Sequence, residues 1–295
     1  MEELSLPLSS SNQVKQTPFS VLSIQGKLSF MLSILRSALP LIISLECFPI
    51  ANIINIFWLQ GYENSDVLVG AFGLGFVWAN FWVGALTFSL NQGLSVLVSH
   101  AFGAKDYRLC GIYYQRVLVI LFILITPFFL FLWYSTEIMI FLGVEQELAE
   151  TTRPYTRSAI ISQVSFALFD ATKAFIIAQK VFDPIVYMQL ISIGLHCIWS
   201  FLFILVFKLG IIGAAICSIL EEWGNCALIY IYIKKSGKFE QTFIPWANET
   251  LDKTGIKKQM KFTIPLAGVT YFEFIYFEFM MIMAGMMGTE QAVAH

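Results

Sequence analysis

The sequence has little charge and lacks the motifs that soluble enzymes use. Only 13% of its 295 residues are charged and 57% are hydrophobic, whereas soluble domains have about 25% and 45–50%. No Gly-Lys pair follows the glycine spacing of a phosphate-binding loop. The three histidines are too far apart for a zinc site: His100, His196 and His295. We therefore expect no enzyme, no cofactor and no bound metal.

Paired cysteines and a secretory leader are missing as well. The five cysteines are odd in number, widely spaced and mostly inside apolar segments, so they predict neither a disulfide framework nor a metal pair. The polar stretch from Met1 to about Phe19 lacks the basic start and apolar core of a signal peptide. We predict packed, free cysteines and a cytosolic N-terminal tail over residues 1–35.

Seven apolar segments of membrane length are present. Each is close to the roughly 20 residues that a helix needs to cross about 30 Å of hydrocarbon. They are continuous rather than alternating, which favours helices over barrel strands. The sequence therefore predicts an all-α integral membrane protein with seven transmembrane helices, near 38–60, 67–90, 112–134, 158–178, 184–207, 211–233 and 262–287.

The basic residues predict the orientation. With the N-terminus in the cytosol, only Arg153, Arg157 and Lys208 of the 18 basic residues fall on the outer side, and cytoplasmic loops are the ones that carry such an excess. The longest loop, residues 234–261, is basic and cytosolic on this prediction. It divides a block of six helices, residues 36–233, from a last segment, residues 262–295.

The first and seventh segments begin alike. Ala38-Leu39-Pro40-Leu41 opens one, and Thr263-Ile264-Pro265-Leu266 opens the other. Because six helices separate them, a second block of six would enter the membrane in the same direction, as parallel repeats do. Coincidence is the alternative, since proline is common near helix starts.

Acidic residues inside the apolar segments are the candidate functional groups. A charged side chain at mid-bilayer costs at least ~2.5 kcal/mol, so it usually faces a cavity and has a function. Glu273 and Glu278 lie in the seventh segment, five residues or about 140° apart, so they do not share one stripe of the helix. Apolar surroundings disfavour the charged form of a carboxyl group, which lets it exchange a proton for a cation.

Four further acids lie in or near apolar segments: Glu46, Asp170, Glu221 and Glu222. Asp170 and Lys173 are three residues apart and can form an ion pair on one helical face. Glu221 and Glu222 are about 100° apart around their helix, so at most one of them is expected to point at a given cavity.

The stretch SHAFGAKDYRLCGIYYQR, from Ser99 to Arg116, resembles the junction of the second and third helices in multidrug and toxic compound extrusion (MATE) transporters of the eukaryotic branch. Ala178-Gln179 in the fourth segment matches the family as well. The resemblance covers about 36–290. Three departures stand out: His100 replaces a usual glutamine, Ser95 replaces an acid found in many relatives, and the family has twelve helices in two lobes.

The resemblance implies the six-helix N-lobe plus the first C-lobe helix of a twelve-helix fold, so we expect a chain truncated relative to the working protein. It also implies that Glu273 is the main proton and cation site, that Glu278 supports it, and that Asn80 faces the cavity. Glu46 lies near a polar position of the family's first helix.

The expected function is a secondary antiporter that exports organic cations, xenobiotics or metabolites in exchange for protons or sodium. It would lie in the lipid bilayer of the plasma membrane or of an organelle such as the vacuole, with no nucleic-acid partner. The alternative is a truncated membrane fragment or interaction module that does not transport.

Overall fold

The computed structural model describes residues 24–286. Over this range the α-helices are α1 (Ile24–Leu59), α2 (Ser65–Ala79), α3 (Ala85–Gly103), α4 (Tyr107–Ile125), α5 (Phe129–Trp133), α6 (Ser135–Phe141), α7 (Gln146–Ala178), α8 (Asp183–Ser200), α9 (Gly210–Ser236) and α10 (Lys253–Met286). Two π-helical segments, Asn80–Gly84 and Phe201–Val206, continue α2 into α3 and extend α8.

The prediction of an all-helical integral membrane fold is confirmed. Five continuous helical units are long and apolar enough to cross a membrane: Ser65–Gly103, Tyr107–Trp133, Gln146–Ala178, Asp183–Val206 and Gly210–Ser236. The other two predicted spans correspond to α1 and α10, which have 36 and 34 residues. Within α1, the stretch Pro49–Leu59 is a shorter apolar helix, and the number of seven spans stays a prediction.

Two features of the helices were not part of the prediction. Helix α1 begins at Ile24, inside the segment predicted as a tail. The helix extends this far because apolar residues such as Leu28, Met31 and Leu35 recur with helical spacing. These side chains are exposed on the surface of α1. Residues 1–23, the rest of the predicted tail, lie outside the described residues. Within the third predicted span, the 3-10 turn Thr126–Phe128 joins α4 to α5. It contains Pro127, and proline lacks the amide hydrogen of a regular helix.

Helix α7 lies at the centre of the bundle. It packs against α2, α3, α4 and α9. The largest fully buried side chains include Phe72 and Trp78 of α2 and Phe175 of α7 itself. Large apolar side chains such as Ile123, Tyr187 and Ile198 are exposed on the outer helices. In a membrane that outer surface contacts lipid. All five cysteines are free, and Cys47, Cys110 and Cys217 are buried as predicted, whereas Cys197 is exposed.

Helix α10 packs along α3 and α2. Its buried residues Gln259, Thr263 and Ala267 recur every four positions and so lie on one face. A Cβ atom on Gly93 of α3 would come within 2.5 Å of Thr263 Cγ2. The glycine therefore allows α3 and α10 to approach closely, as small residues do between membrane helices.

Candidate functional site

A cavity of about 30 Å³ lies inside the bundle, between α1, α2, α7 and α9. Its polar lining consists of Asn52, Asn80, Tyr155, Ser162, Gln163, Ser218, Glu221 and Glu222. A water molecule needs about 10–15 Å³ of such space, so this cavity has room for about two. Within the described chain, Gln163 Oε1 and Glu222 Oε2 are buried without a hydrogen-bond partner, and water in the cavity would supply one.

Asn80 lies at the start of the π-helical segment that joins α2 to α3. Its Nδ2 donates to the carbonyl oxygen of Phe76 at 3.0 Å. A Cβ atom on Gly84 would overlap Asn80 Oδ1, so the glycine makes room for this side chain beside the cavity. Short π-helical segments are frequent at functional sites. A substrate-binding role for Asn80 stays a prediction.

Glu221 and Glu222 correct one expectation. Both line the same cavity, although the sequence predicted that at most one would do so. The physical reason is that the cavity extends around the side of α9 that faces α7 and α1. Side chains that leave α9 about 100° apart can therefore both reach it. Glu222 is buried, and the Glu221 side chain is 11% exposed.

The predicted ion pair between Asp170 and Lys173 is confirmed. Lys173 Nζ lies 2.9 Å from Asp170 Oδ1, with side-chain exposures of 18% and 5%. Asn91 of α3 donates from Nδ2 to the other carboxylate oxygen, Oδ2, at 2.8 Å. The pair and its third partner therefore tie α7 to α3 in the core of the bundle.

The predicted site residues are not all brought together. Asn80 lines the cavity, whereas Glu46 of α1 and Glu273 of α10 are exposed and are not among the lining residues. At 100° per residue, Glu273 lies about 160° around α10 from Tyr271 and about 120° from the buried Ala267. The backbone of Glu278 belongs to α10, whereas its side chain is outside the described part of the structure.

Gln115, one of the residues that carried the family resemblance, holds the loop of residues 237–252. Its Nε2 donates to the carbonyl oxygens of Ile244 and Pro245, both at 3.0 Å. Its Oε1 accepts from the Ala247 backbone N–H at 3.0 Å and from Thr250 Oγ1 at 2.6 Å. One buried amide thus satisfies four polar groups of the loop.

Other motif residues contact the same loop. Arg116 Nη2 donates to the carbonyl oxygen of Glu249 at 2.8 Å, and Gln179 Oε1 accepts from Thr242 Oγ1 at 2.9 Å. The Glu249 carboxylate forms an ion pair with Arg108 at 2.8 Å. A backbone hydrogen bond and the hydrogen bond from Arg108 lower the pKa of Glu249. The sequence analysis found these motif residues but did not predict that they hold the loop.

These features define a multi-pass integral membrane protein, built of helices, whose interior holds acidic and amide side chains around a small cavity. Polar interiors of this kind are typical of membrane transporters. In the described part, no group of three or more His, Cys, Asp and Glu side chains is placed to hold a metal ion.

The family model MatE matches residues 40–202, and the chain belongs to this family. It is 28% identical over 211 residues to the "Uncharacterized transporter C4B3.13" of Schizosaccharomyces pombe, covering 69% of this chain and 38% of the relative. It is 25% identical over 263 residues to "Protein DETOXIFICATION 49" of Arabidopsis thaliana, covering 88% and 51%. The family comprises transporters rather than enzymes.

The fold is similar to that of solved family members. The crystal structure of the eukaryotic MATE transporter AtDTX14 superposes with a TM-score of 0.80 at 21% sequence identity, covering 88% of this chain and 57% of that one. The chain therefore spans about half the length of the relatives that it matches. The predicted MATE resemblance is confirmed.

Proposed function

We propose that this chain is part of a secondary antiporter and contains the residue that binds the coupling ion. That residue is Glu273. The observation that carries the proposal is an exposed carboxylate on a face of α10 that is otherwise apolar: Val269 is 71%, Phe272 73% and Tyr276 63% exposed. Such a group is costly in lipid. It is stable there if it faces a polar cavity shared with further helices.

The chemistry of the exchange follows from one carboxyl group. When ionised, Glu273 attracts a cationic substrate, and neighbouring rings such as Phe272 and Tyr276 can contact a flat organic cation through their faces. When protonated, it loses its charge and with it the attraction. A proton taken up from one side therefore displaces the cation, and Glu278 supports the site. The proposal includes sodium as an alternative coupling ion.

Alternating access moves one block of helices against another around such a site. The proposed cargo comprises organic cations, xenobiotics or metabolites, because the family name and the relatives called "DETOXIFICATION" favour export of foreign compounds. A truncated fragment or interaction module that does not transport is the second candidate.

The test is efflux of a fluorescent organic cation from membrane vesicles under an imposed pH gradient, with the protein expressed from its native gene. Glu273→Gln removes the titratable group but keeps the shape, so efflux should fall to background while the amount of protein in the membrane is unchanged. Glu63→Gln, the same change in the exposed turn after α1, should retain efflux. Efflux by Glu273→Gln equal to that of the wild type would contradict the assignment, and no efflux by any version would favour the fragment.

A further inference from the structure

An arginine meets exposed aromatic side chains at the end of the bundle opposite the 237–252 loop, and the proposed function does not use them. Arg157 of α7 lies over the ring of Trp133 of α5, with its Cζ atom 4.7 Å from the ring centroid. Its Nε donates to the carbonyl oxygen of Trp133 at 3.3 Å. Trp133 and the following Tyr134 are 48% and 53% exposed. The guanidinium group is therefore held against an aromatic surface that is open to the surroundings.

The length of α7 places Arg157 at one edge of the hydrocarbon. The last residue of α7 is Ala178, which is followed by Gln179, bonded to Thr242 of the loop, and by the exposed Lys180. Arg157 and Ala178 are 21 positions apart, about 32 Å at 1.5 Å per residue. The hydrocarbon of a bilayer is about 30 Å thick. With Ala178 at one boundary, Arg157 lies at the other, where the lipid phosphate groups begin.

Arg157 also has hydrogen-bond donors without a protein partner. Arg153, one turn earlier in α7, is already engaged, since its Nε donates to Thr136 Oγ1 at 3.0 Å and its Nη2 lies 3.8 Å from Glu137 Oε1. Among the described residues, Arg157 forms no ion pair, and its bond to Trp133 uses Nε alone. A guanidinium group has five N–H donors in a planar fork. The fork of Arg157 can thus accommodate an anion.

An apolar surface continues from Arg157 toward the middle of the membrane. Ile161 lies four residues further along α7, on the same face of the helix, and is 52% exposed. Leu130, one turn before Trp133 in the chain, is 62% exposed. A ligand that fits this surface is therefore negatively charged at the boundary of the hydrocarbon and apolar below it.

We propose that this surface binds a phospholipid of the leaflet opposite the 237–252 loop. The lipid phosphate contacts the guanidinium group of Arg157, and an acyl chain lies along Leu130 and Ile161. The fork of an arginine matches two phosphate oxygens. Tryptophan and tyrosine are enriched at this depth of a bilayer, because one part of each ring system is apolar and another is polar. Trp133 and Tyr134 thus complete the site beside the phosphate.

The acidic residues at this end do not oppose the phosphate. Glu147 and Glu150 are exposed in the first turns of α7, about 15 and 10 Å from Arg157 along the axis, on the water side. Salt at physiological strength screens exposed charges beyond about 8 Å. Glu137 is paired with Arg153. At the edge of the hydrocarbon the effective dielectric constant is lower, so the attraction between Arg157 and a phosphate is stronger there.

The test is native mass spectrometry of the full chain in detergent, which counts bound lipid. The probes are a short-chain phosphatidylglycerol, the diacylglycerol with the same chains, and inorganic phosphate. Phosphatidylglycerol should bind more tightly than diacylglycerol, and excess inorganic phosphate should not displace it. Equal binding of diacylglycerol would overturn the role of the phosphate group. Displacement by inorganic phosphate would overturn a lipid as the ligand.

Arg157→Gln removes the charge and the fork. The affinity of the tightest phosphatidylglycerol site should therefore fall about tenfold, as expected for the loss of a hydrogen bond to a charged group. Lys208→Gln is the matched control, because it removes one exposed positive charge from the turn before α9, and it should leave the affinity unchanged. An affinity of Arg157→Gln equal to that of the parent, or equal losses in both variants, would contradict the site.

Two further variants separate this site from misfolding and from the proposed function. Trp133→Leu keeps the arginine but removes the ring beneath it, so phosphatidylglycerol should bind more weakly than to the parent and more tightly than to Arg157→Gln. Binding to Trp133→Leu as tight as to the parent would contradict a site built on this ring. Glu273→Gln should bind the lipid like the parent, because α10 contributes nothing to the site, and a loss there would contradict its independence.

Discussion

At the scale of single residues, the buried charge of Asp170 is compensated by specific partners. Asp170 has both carboxylate oxygens in contact, one with Lys173 and one with Asn91. The sequence predicted the ion pair because the two residues are three apart on one helix. It did not predict Asn91, because that contact joins positions 79 residues apart in the chain.

The first prediction concerns this pair. Asp170→Asn leaves the ammonium group of Lys173 without a counter-charge, and breaking a buried ion pair from one side costs about 3–5 kcal/mol. The thermal unfolding midpoint of the detergent-solubilised protein should therefore fall. Asp170→Asn combined with Lys173→Gln removes both charges and should recover part of the loss.

The control is Asp66→Asn, the same change at the exposed start of α2, which should leave the midpoint nearly unchanged. If Asp170→Asn and the double variant unfold at the same temperature, the pair is not the source of the stability.

At the scale of elements, helix positions were predictable and their local irregularities were not. Long apolar runs predict helices because a membrane span must satisfy every backbone group internally, and five predicted spans coincide with helical units of the structure. The π-helical segment at Asn80–Gly84 left no sequence signal that periodicity detects. The contact of Gln115 with residues 244–250 depends on packing across more than a hundred residues of chain.

The second prediction concerns that contact. Gln115→Ala removes four hydrogen bonds to the 237–252 loop, and each buried group left without a partner costs about 1–3 kcal/mol. The loop should then detach from α4 more often and be cleaved faster by trypsin after Lys238, which is exposed. The rate of cleavage at this lysine, followed by mass spectrometry, is the measurement.

Gln146→Ala is the matched control, since this glutamine is exposed and bonds only to Glu150 of its own helix among the described contacts. Equal cleavage rates in Gln115→Ala and the control would show that Gln115 does not hold the loop.

At the scale of the whole molecule, the chain forms a bundle around α7, with α10 packed along α3 and Glu273 on the exposed face of α10. The family could be predicted from short motifs because their spacing places glycine, glutamine and arginine at fixed points of one helical junction. The contacts of His196 of α8 with Asn55 of α1 and Glu221 of α9 could not, because isolated polar residues on three apolar segments reveal their contact only after folding. Their presence inside apolar runs was the available signal.

The measurement that tests the central claim most directly is proton release when an organic cation binds. A flat fluorescent cation is added to purified protein in weakly buffered solution, and a pH indicator follows the protons displaced while fluorescence follows binding. If Glu273 exchanges a proton for the cation, the wild type should release protons in proportion to the cation bound, and Glu273→Gln should release none. The same release from both proteins would contradict the claim that Glu273 is the coupling site.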